Sequence, residues 1–84
     1  MYRINKDSIL DVSEEGVIIQ IDDEFYGVNT MAYEIINLII ETQSIGDTVL
    51  SLSKTYDIDL DMMEDDVREI LADCMEKGII TLNL

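Results

Sequence analysis

Histidine, proline and tryptophan do not occur in the 84 residues, and cysteine occurs once. Each absence narrows the chemistry. Without histidine the commonest general base, the usual catalytic triads and most zinc sites are missing. A single thiol, Cys74, cannot make an intrachain disulfide framework. Positive charge is scarce. Five Lys and Arg stand against 19 Asp and Glu, for a formal net charge of −14. A phosphate backbone is repelled by such a chain, so direct DNA or RNA binding is disfavoured. Long apolar runs are also missing. The most apolar uncharged stretch, Ile35 to Ile40, is broken by Asn37 and falls far short of a membrane span. Arg3 and Lys6 near the N-terminus are not followed by the apolar run of a signal peptide. With no export signal and one unpaired thiol, the expected compartment is the cytoplasm, with no membrane partner.

What is present is enough for one small folded domain. Apolar residues make up 48% of the chain, within the globular range. The four glycines are scattered and no segment resembles a linker, so residues 1–84 are expected to form a single domain. A chain this short leaves roughly a third or more of its surface exposed, which makes a deep catalytic cleft improbable.

The hydrophobic period changes partway along. Ser8–Ser13 reads as a first strand, followed by the turn Glu14-Glu15-Gly16, where glycine suits a positive φ. Val17–Ile21 reads as a second strand with Val17, Ile19 and Ile21 on its buried face. Asp22-Asp23 makes a second tight turn, and Glu24–Val28 is a third strand, completing an antiparallel meander. Beyond it the period is helical. Asn29 or Thr30 caps a first helix ending near Thr42, with Ala32, Ile35, Ile36 and Ile39 on one face. Ser44 and Asp47 resemble a capping box and open a second helix with the stripe Ile45, Val49, Leu52 and Tyr56. Residues 57–61 read as a loop, and Asp61 caps a third helix with the stripe Met63, Val67, Ile70, Leu71 and Cys74. Gly78 stops it, and Ile79–Leu82 is extended and able to form a short terminal strand. Strands first and helices later make an α+β fold, with three helices covering one face of a three-stranded antiparallel sheet.

The candidate chemistry is thin. Asp57-Ile58-Asp59-Leu60-Asp61 resembles the start of an EF-hand loop, but Met62 stands where the turn glycine belongs and Arg68 where the bidentate glutamate belongs. An acidic capping loop is the expected reading. Ser8, in Asp7-Ser8-Ile9-Leu10, matches the serine of acyl carrier proteins but precedes a strand rather than a helix. Cys74 lies on a buried stripe with no expected base beside it, so it reads as a small hydrophobe. The carboxylates lack an apolar pocket to separate their pKa values. Residues 57–76 hold nine acids and only Arg68 as a base. This stretch reads either as a solvated face or as a device for steering a basic partner.

The third strand is the informative element. Edge strands are usually blunted by lysine, proline or a bulge. Glu24-Phe25-Tyr26-Gly27-Val28 has one charge and then aromatic and aliphatic residues. Either the C-terminal strand or a second copy covers its outer edge, or the edge is a docking site for an extended peptide.

These residues carry a family likeness. The pattern is Gly16-x5-Asp22, then Phe25-Tyr26-Gly27-Val28-Asn29-Thr30-x-Ala32-x-x-Ile35, Tyr56-Asp57-Ile58, Val67-x-x-Ile70-Leu71 and Gly78-Ile79-Ile80. It resembles the PqqD-type peptide-recognition proteins, the RiPP recognition elements of ribosomal peptide modification pathways, from about Ser8 to Leu82. The resemblance implies a winged-helix-like fold of three strands and three helices, no catalysis and no cofactor. It also implies that the leader segment of a precursor peptide docks as an extra strand beside strand three, against helix three, and is presented to a processing enzyme. Carried onto this chain, the implied site is Phe25, Tyr26, Gly27 and Val28 on one side. On the other it is Val67, Ile70, Leu71 and Cys74. The implied setting is lasso-peptide biosynthesis, with a leader peptidase and a cyclase as partners. The alternatives are a peptide chaperone for a radical-SAM enzyme and an acidic module that dimerises through the same edge. The chain departs from the commoner pattern in its acidity and in having Ile36 after Ile35 where the first helix often carries tryptophan. A winged-helix nucleic-acid binder would need a basic third helix, and here Arg68 and Lys77 sit among acids.

Overall fold

The computed structural model describes residues 1–83. In chain order the elements are β1 (Tyr2–Ile4), β2 (Ile9–Ser13), β3 (Gly16–Ile21), β4 (Glu24–Val28), α1 (Thr30–Thr42), α2 (Ile45–Tyr56), α3 (Leu60–Glu76) and β5 (Ile80–Leu82). The expected meander is β2-β3-β4, antiparallel throughout, and the three expected helices follow it.

Two-residue turns set the register. Ser13 pairs with Gly16 across Glu14-Glu15, and Ile21 pairs with Glu24 across Asp22-Asp23. Gly16 has φ +138, and a Cβ there would stand 3.0 Å from the Val28 carbonyl oxygen. Both the backbone conformation and the close approach of β4 therefore call for glycine. Gly16→Ala is expected to destabilise the domain by ~1–3 kcal/mol, read as a lower urea midpoint with an unchanged m-value. Val17 and Ile19 turn inward and are buried, with Ile21 half-buried, as the strand's alternation predicts. They pair with Val28, Tyr26 and Glu24 of β4.

The helices lie against that inner face. Ile35, Ile36 and Ile39 of α1 are at most 1% exposed and sit between β3 and the other two helices. Leu52 of α2 and Met63, Val67 and Cys74 of α3 complete the centre. Of the two caps the sequence offers for α1 it is Asn29 that serves, through the Ala32 N–H (2.8 Å), and Ser44 caps α2 through the Asp47 N–H (3.1 Å) as the sequence predicts. In α2 the stripe is rotated from expectation. Thr48 and Ser53 are buried, while Ile45 and Tyr56 are only half-buried. Thr48 is tolerated there because its hydroxyl donates to the Ser44 carbonyl (2.9 Å), whereas the buried Ser53 hydroxyl has no hydrogen-bond partner. α3 is capped by Asp59 rather than Asp61. The Asp59 carboxylate accepts from the Asp61 N–H (3.2 Å), and its carbonyl accepts from Met63 N–H (2.9 Å). Starting at Leu60 gains helical bonds that a start beyond Asp61 would forgo.

β1 was not expected, and β5 does not go where a cover for the third strand would have to go. β5 pairs antiparallel with β1 to make a separate two-stranded sheet, Tyr2 opposite Leu82 and Ile4 opposite Ile80. The cause lies at the end of α3. Ile79 N–H bonds Cys74 O (2.8 Å) and Gly78 N–H bonds Met75 O (3.2 Å), a Schellman turn with Gly78 at φ +78. That turn sends Ile79 and Ile80 into the core, 1% and 2% exposed, and β5 to β1 instead of the meander. The other edge of β1 is held by Gln43. Its side-chain amide accepts from Tyr2 N–H (2.6 Å) and donates to Tyr2 O (2.7 Å), as a neighbouring strand would. At the far end Met1 and Asn83 exchange backbone hydrogen bonds. Among the described residues no helix is long and apolar enough to cross a membrane.

Candidate functional site

With β5 elsewhere, the outer edge of β4 is unpaired by any described strand. Its register can be worked out from the turn. A two-residue loop is closed by a pair that exchanges both backbone bonds, so Ile21 and Glu24 are bonded to each other. Bonded pairs then recur at every second residue. Glu24, Tyr26 and Val28 turn their N–H and C=O groups toward β3, and Phe25 and Gly27 turn theirs outward. Two donors and two acceptors spaced for a guest strand therefore face away from the sheet.

Side chains alternate on the other axis. Tyr26 and Val28 point to the helical side, half-buried against the core. Phe25 points to the opposite face and is 65% exposed, and at Gly27 an added Cβ would meet nothing within 4 Å. Phe25 thus offers backbone to a strand on β4, while its ring belongs to the outer face of the sheet.

The end of α3 reaches this edge through Lys77. Its ammonium lies 5.4 Å from the centre of the Tyr26 ring and 2.8 Å from an Asp73 carboxylate oxygen. The bond to Asp73 holds the Lys77 pKa above the usual lysine value, so it is a permanent cation between β4 and α3. One turn back, Glu69, Ile70, Ala72, Asp73 and Glu76 line a shallow hollow with an apolar floor and acidic rim. Of the four α3 residues expected at the site, Ile70 is half-buried at the margin of the core and lies in this hollow. Val67, Leu71 and Cys74 are 0%, 6% and 2% exposed and face the core, where they support α3 from beneath. The sequence shows Lys77 only as one of two bases among the acids of the third helix. The Asp73–Lys77 spacing of four was visible as an ion pair, but its seat over Tyr26 depends on tertiary packing.

Cys74 is placed as a hydrophobe. Burial pushes its thiol up to about 11, with the Asp73 charge adding to the rise. The thiolate that reacts with electrophiles is therefore rarer than in an ordinary cysteine. Iodoacetamide at pH 8 is expected to label the folded protein far more slowly than the urea-unfolded protein. Equal rates would show the thiol to be accessible and ionised.

The acidic loop before α3 is spent on capping. Asp57 ends α2 in the left-handed region (φ 53), and Asp59 starts α3. Among the described residues no three acidic or thiol side chains converge as metal ligands.

Two solved structures share the fold over nearly their whole length. One, described as lasso peptide synthetase B1 complexed with the leader peptide, superposes with a TM-score of 0.84 at 18% identity, covering 96% of this chain and 98% of the other. The second is TbiB1 in complex with the TbiA(beta) leader peptide, with a TM-score of 0.82 at 17% identity and 98% of each chain covered. At such identities the likeness is one of fold. No curated protein matches the sequence. The family model of coenzyme PQQ synthesis protein D (PqqD) matches residues 15–80, from the turn before β3 to the start of β5. With that much of its length matched, including β4 and all three helices, the chain belongs to the PqqD family.

Proposed function

We propose that this protein is a non-catalytic recognition module that binds the leader segment of a ribosomally made precursor peptide and presents it to a processing enzyme. The leader adds as a strand on β4 and lies against α3. The observation that carries this reading is the open β4 edge, with Phe25 and Gly27 presenting outward backbone groups beside Lys77 and Tyr26. Main-chain bonds give such a complex its affinity, and the flanking hollows give it its choice of sequence. On α3 the guest meets Ile70 and the acidic rim around it, while Val67, Leu71 and Cys74 hold the wall in place.

Membership of the PqqD family supports the recognition role. The two structures of like fold, both described with leader peptides bound, support a lasso-peptide setting, in which a leader peptidase and a cyclase receive the peptide. The family's own description, in coenzyme PQQ synthesis, favours a second reading in which the partner is a radical-SAM enzyme. Either role belongs in the cytoplasm, where precursor and enzyme are made.

The test is a titration of a fluorescein-labelled synthetic leader peptide, followed by fluorescence anisotropy, with mass spectrometry of the recovered peptide. Saturable binding with no change in mass is expected. Cleavage or modification by the purified chain alone would overturn the non-catalytic assignment. Salt gives a further prediction. With −14 on the protein, a leader bearing lysine or arginine should associate about tenfold faster at low ionic strength. That gain should fade as the Debye length shrinks to about 8 Å near physiological salt. Association indifferent to salt would make the acidic surface a solubility feature only.

A further inference from the structure

The helices cover the inner face of β3 and β4, while β2 is exposed on both faces, Leu10 and Val12 included, and the outer face of the sheet has no cover within the described chain. The residues on it follow from the register. Ile9, Gln20 and Phe25 form one row across the three strands, and Asp11, Ile18 and Gly27 form the next. Ile9, Ile18 and Phe25 are 62%, 49% and 65% exposed. With Gln20 and Asp11 they line a shallow hollow. Gly27 leaves the flank of Ile18 bare, since nothing lies within 4 Å of where its Cβ would be. Three large apolar side chains gathered on one exposed face of so small a domain are characteristic of a contact surface.

The charge around them is one-sided. Between Asp7 and Glu24 there are seven acids (Asp7, Asp11, Glu14, Glu15, Asp22, Asp23 and Glu24) and no Lys or Arg, and no Lys or Arg follows before Lys54. Four of the seven lie in the two turns that bound the sheet, and Asp11 lies on the face itself. A second copy would bring the same acidic turns against each other. An anionic lipid surface would be repelled. A folded protein surface with an apolar knob ringed by lysine or arginine fits both the centre and the rim.

We propose that the outer face of the sheet, centred on Ile9, Ile18 and the Phe25 ring, is the surface that docks the processing enzyme, through a basic-rimmed apolar patch on that enzyme. This rests on the recognition role proposed above and gives the second partner its own surface. The leader takes the β4 edge and the α3 side, and the enzyme takes the opposite face of the same sheet. The two are separated by the thickness of one strand, and Phe25 belongs to both, by its backbone to the leader and by its ring to the enzyme.

The test uses Ile9→Lys and Ile18→Lys, singly and together, on the full chain. Both side chains point away from the core, and Ile18 lies beside the Phe25 ring on the outer face, not on the outward backbone groups of β4. The probes are the labelled leader peptide and the purified leader peptidase or radical-SAM enzyme encoded with this chain. The double variant should bind leader within about twofold of wild type. It should lose tenfold or more in affinity for the enzyme, measured by biolayer interferometry, because each lysine places a cation against a basic rim. Precursor processing should slow at low concentrations of the variant and recover when the variant is in large excess. Enzyme binding unchanged in the double variant would overturn the assignment. So would a wild-type dimer on size exclusion that the substitutions dissociate, which would make a second copy the occupant. Failure of wild-type protein to bind leader at all would instead overturn the recognition role.

Discussion

Proline at Phe25 or Gly27 is expected to abolish peptide capture and leave the domain folded, whereas proline at Tyr26 or Val28 is expected to destabilise the domain itself. Each substitution deletes one backbone N–H. At Phe25 and Gly27 that donor faces outward, so β3 loses nothing and a guest strand loses a hydrogen bond. The lost bond and the guest carbonyl left without a partner together cost about 2 kcal/mol or more, a roughly thirtyfold loss of affinity. At Tyr26 and Val28 the donor bonds Ile19 or Val17 of β3, both core residues. Orphaning a buried carbonyl costs ~1–3 kcal/mol before any steric strain, a large share of the ~5–15 kcal/mol that holds a domain together. Thermal melts followed by circular dichroism separate the two pairs, and anisotropy titration at a temperature where all are folded measures the first. If Phe25→Pro and Gly27→Pro both bind leader as wild type does, the peptide does not add to this strand.

The second contrast is on α3. Val67→Asp should unfold the protein, and Ile70→Asp should leave it folded but bind leader poorly. Val67 is fully buried, packed with Ile39, Leu52 and Met63 in one cluster. An aspartate there must either bury its charge without a partner or stay protonated and unpaired, and each costs several kcal/mol. Ile70 is one helical step round, half-buried at the margin of the core, and lines the hollow formed with Glu69, Ala72, Asp73 and Glu76. A carboxylate at position 70 is solvated, so the fold survives, while an apolar guest side chain loses its seat. Equal melting temperatures for the two variants would show that α3 is rotated from the orientation described. Normal peptide binding by Ile70→Asp would move the site away from this helix.

Much of this architecture was legible because it is written in local patterns. Val17, Ile19, Ala32, Ile35, Ile36, Ile39, Met63 and Val67 each fall where period 2 or period 3.6 places them, and Asn29, Ser44 and Gly78 mark element ends by their own chemistry. What escaped depends on partners distant in sequence. Tyr2-Arg3-Ile4 is too short to show a period, and becomes a strand only because Ile80–Leu82 returns to it. Asp59 and Asp61 are both good caps, and local chemistry alone does not choose between them. At the candidate site, the β4 edge was visible in its composition, and its alternation became assignable once the two-residue turn fixed the bonded pairs. Helical period put Val67, Ile70, Leu71 and Cys74 on one stripe, but a stripe does not say which margin faces the core and which faces the groove. The packing of α2 against α3 decides that, and it leaves only Ile70 at the open margin.

The pairing of β1 with β5 has an engineering consequence. Met1 and Asn83 are joined by hydrogen bonds across the strand ends, so a few glycine and serine residues would close the chain into a ring with little strain. New ends could then be opened at Glu14-Glu15, an exposed turn whose backbone serves no other element. For the same reason the domain can be spliced into a surface loop of another protein, since Met1 and Asn83 lie side by side. A modifying enzyme could thus carry this recognition unit as an insert, joined through the β1-β5 sheet, to which neither the β4 edge nor the outer face of the meander belongs.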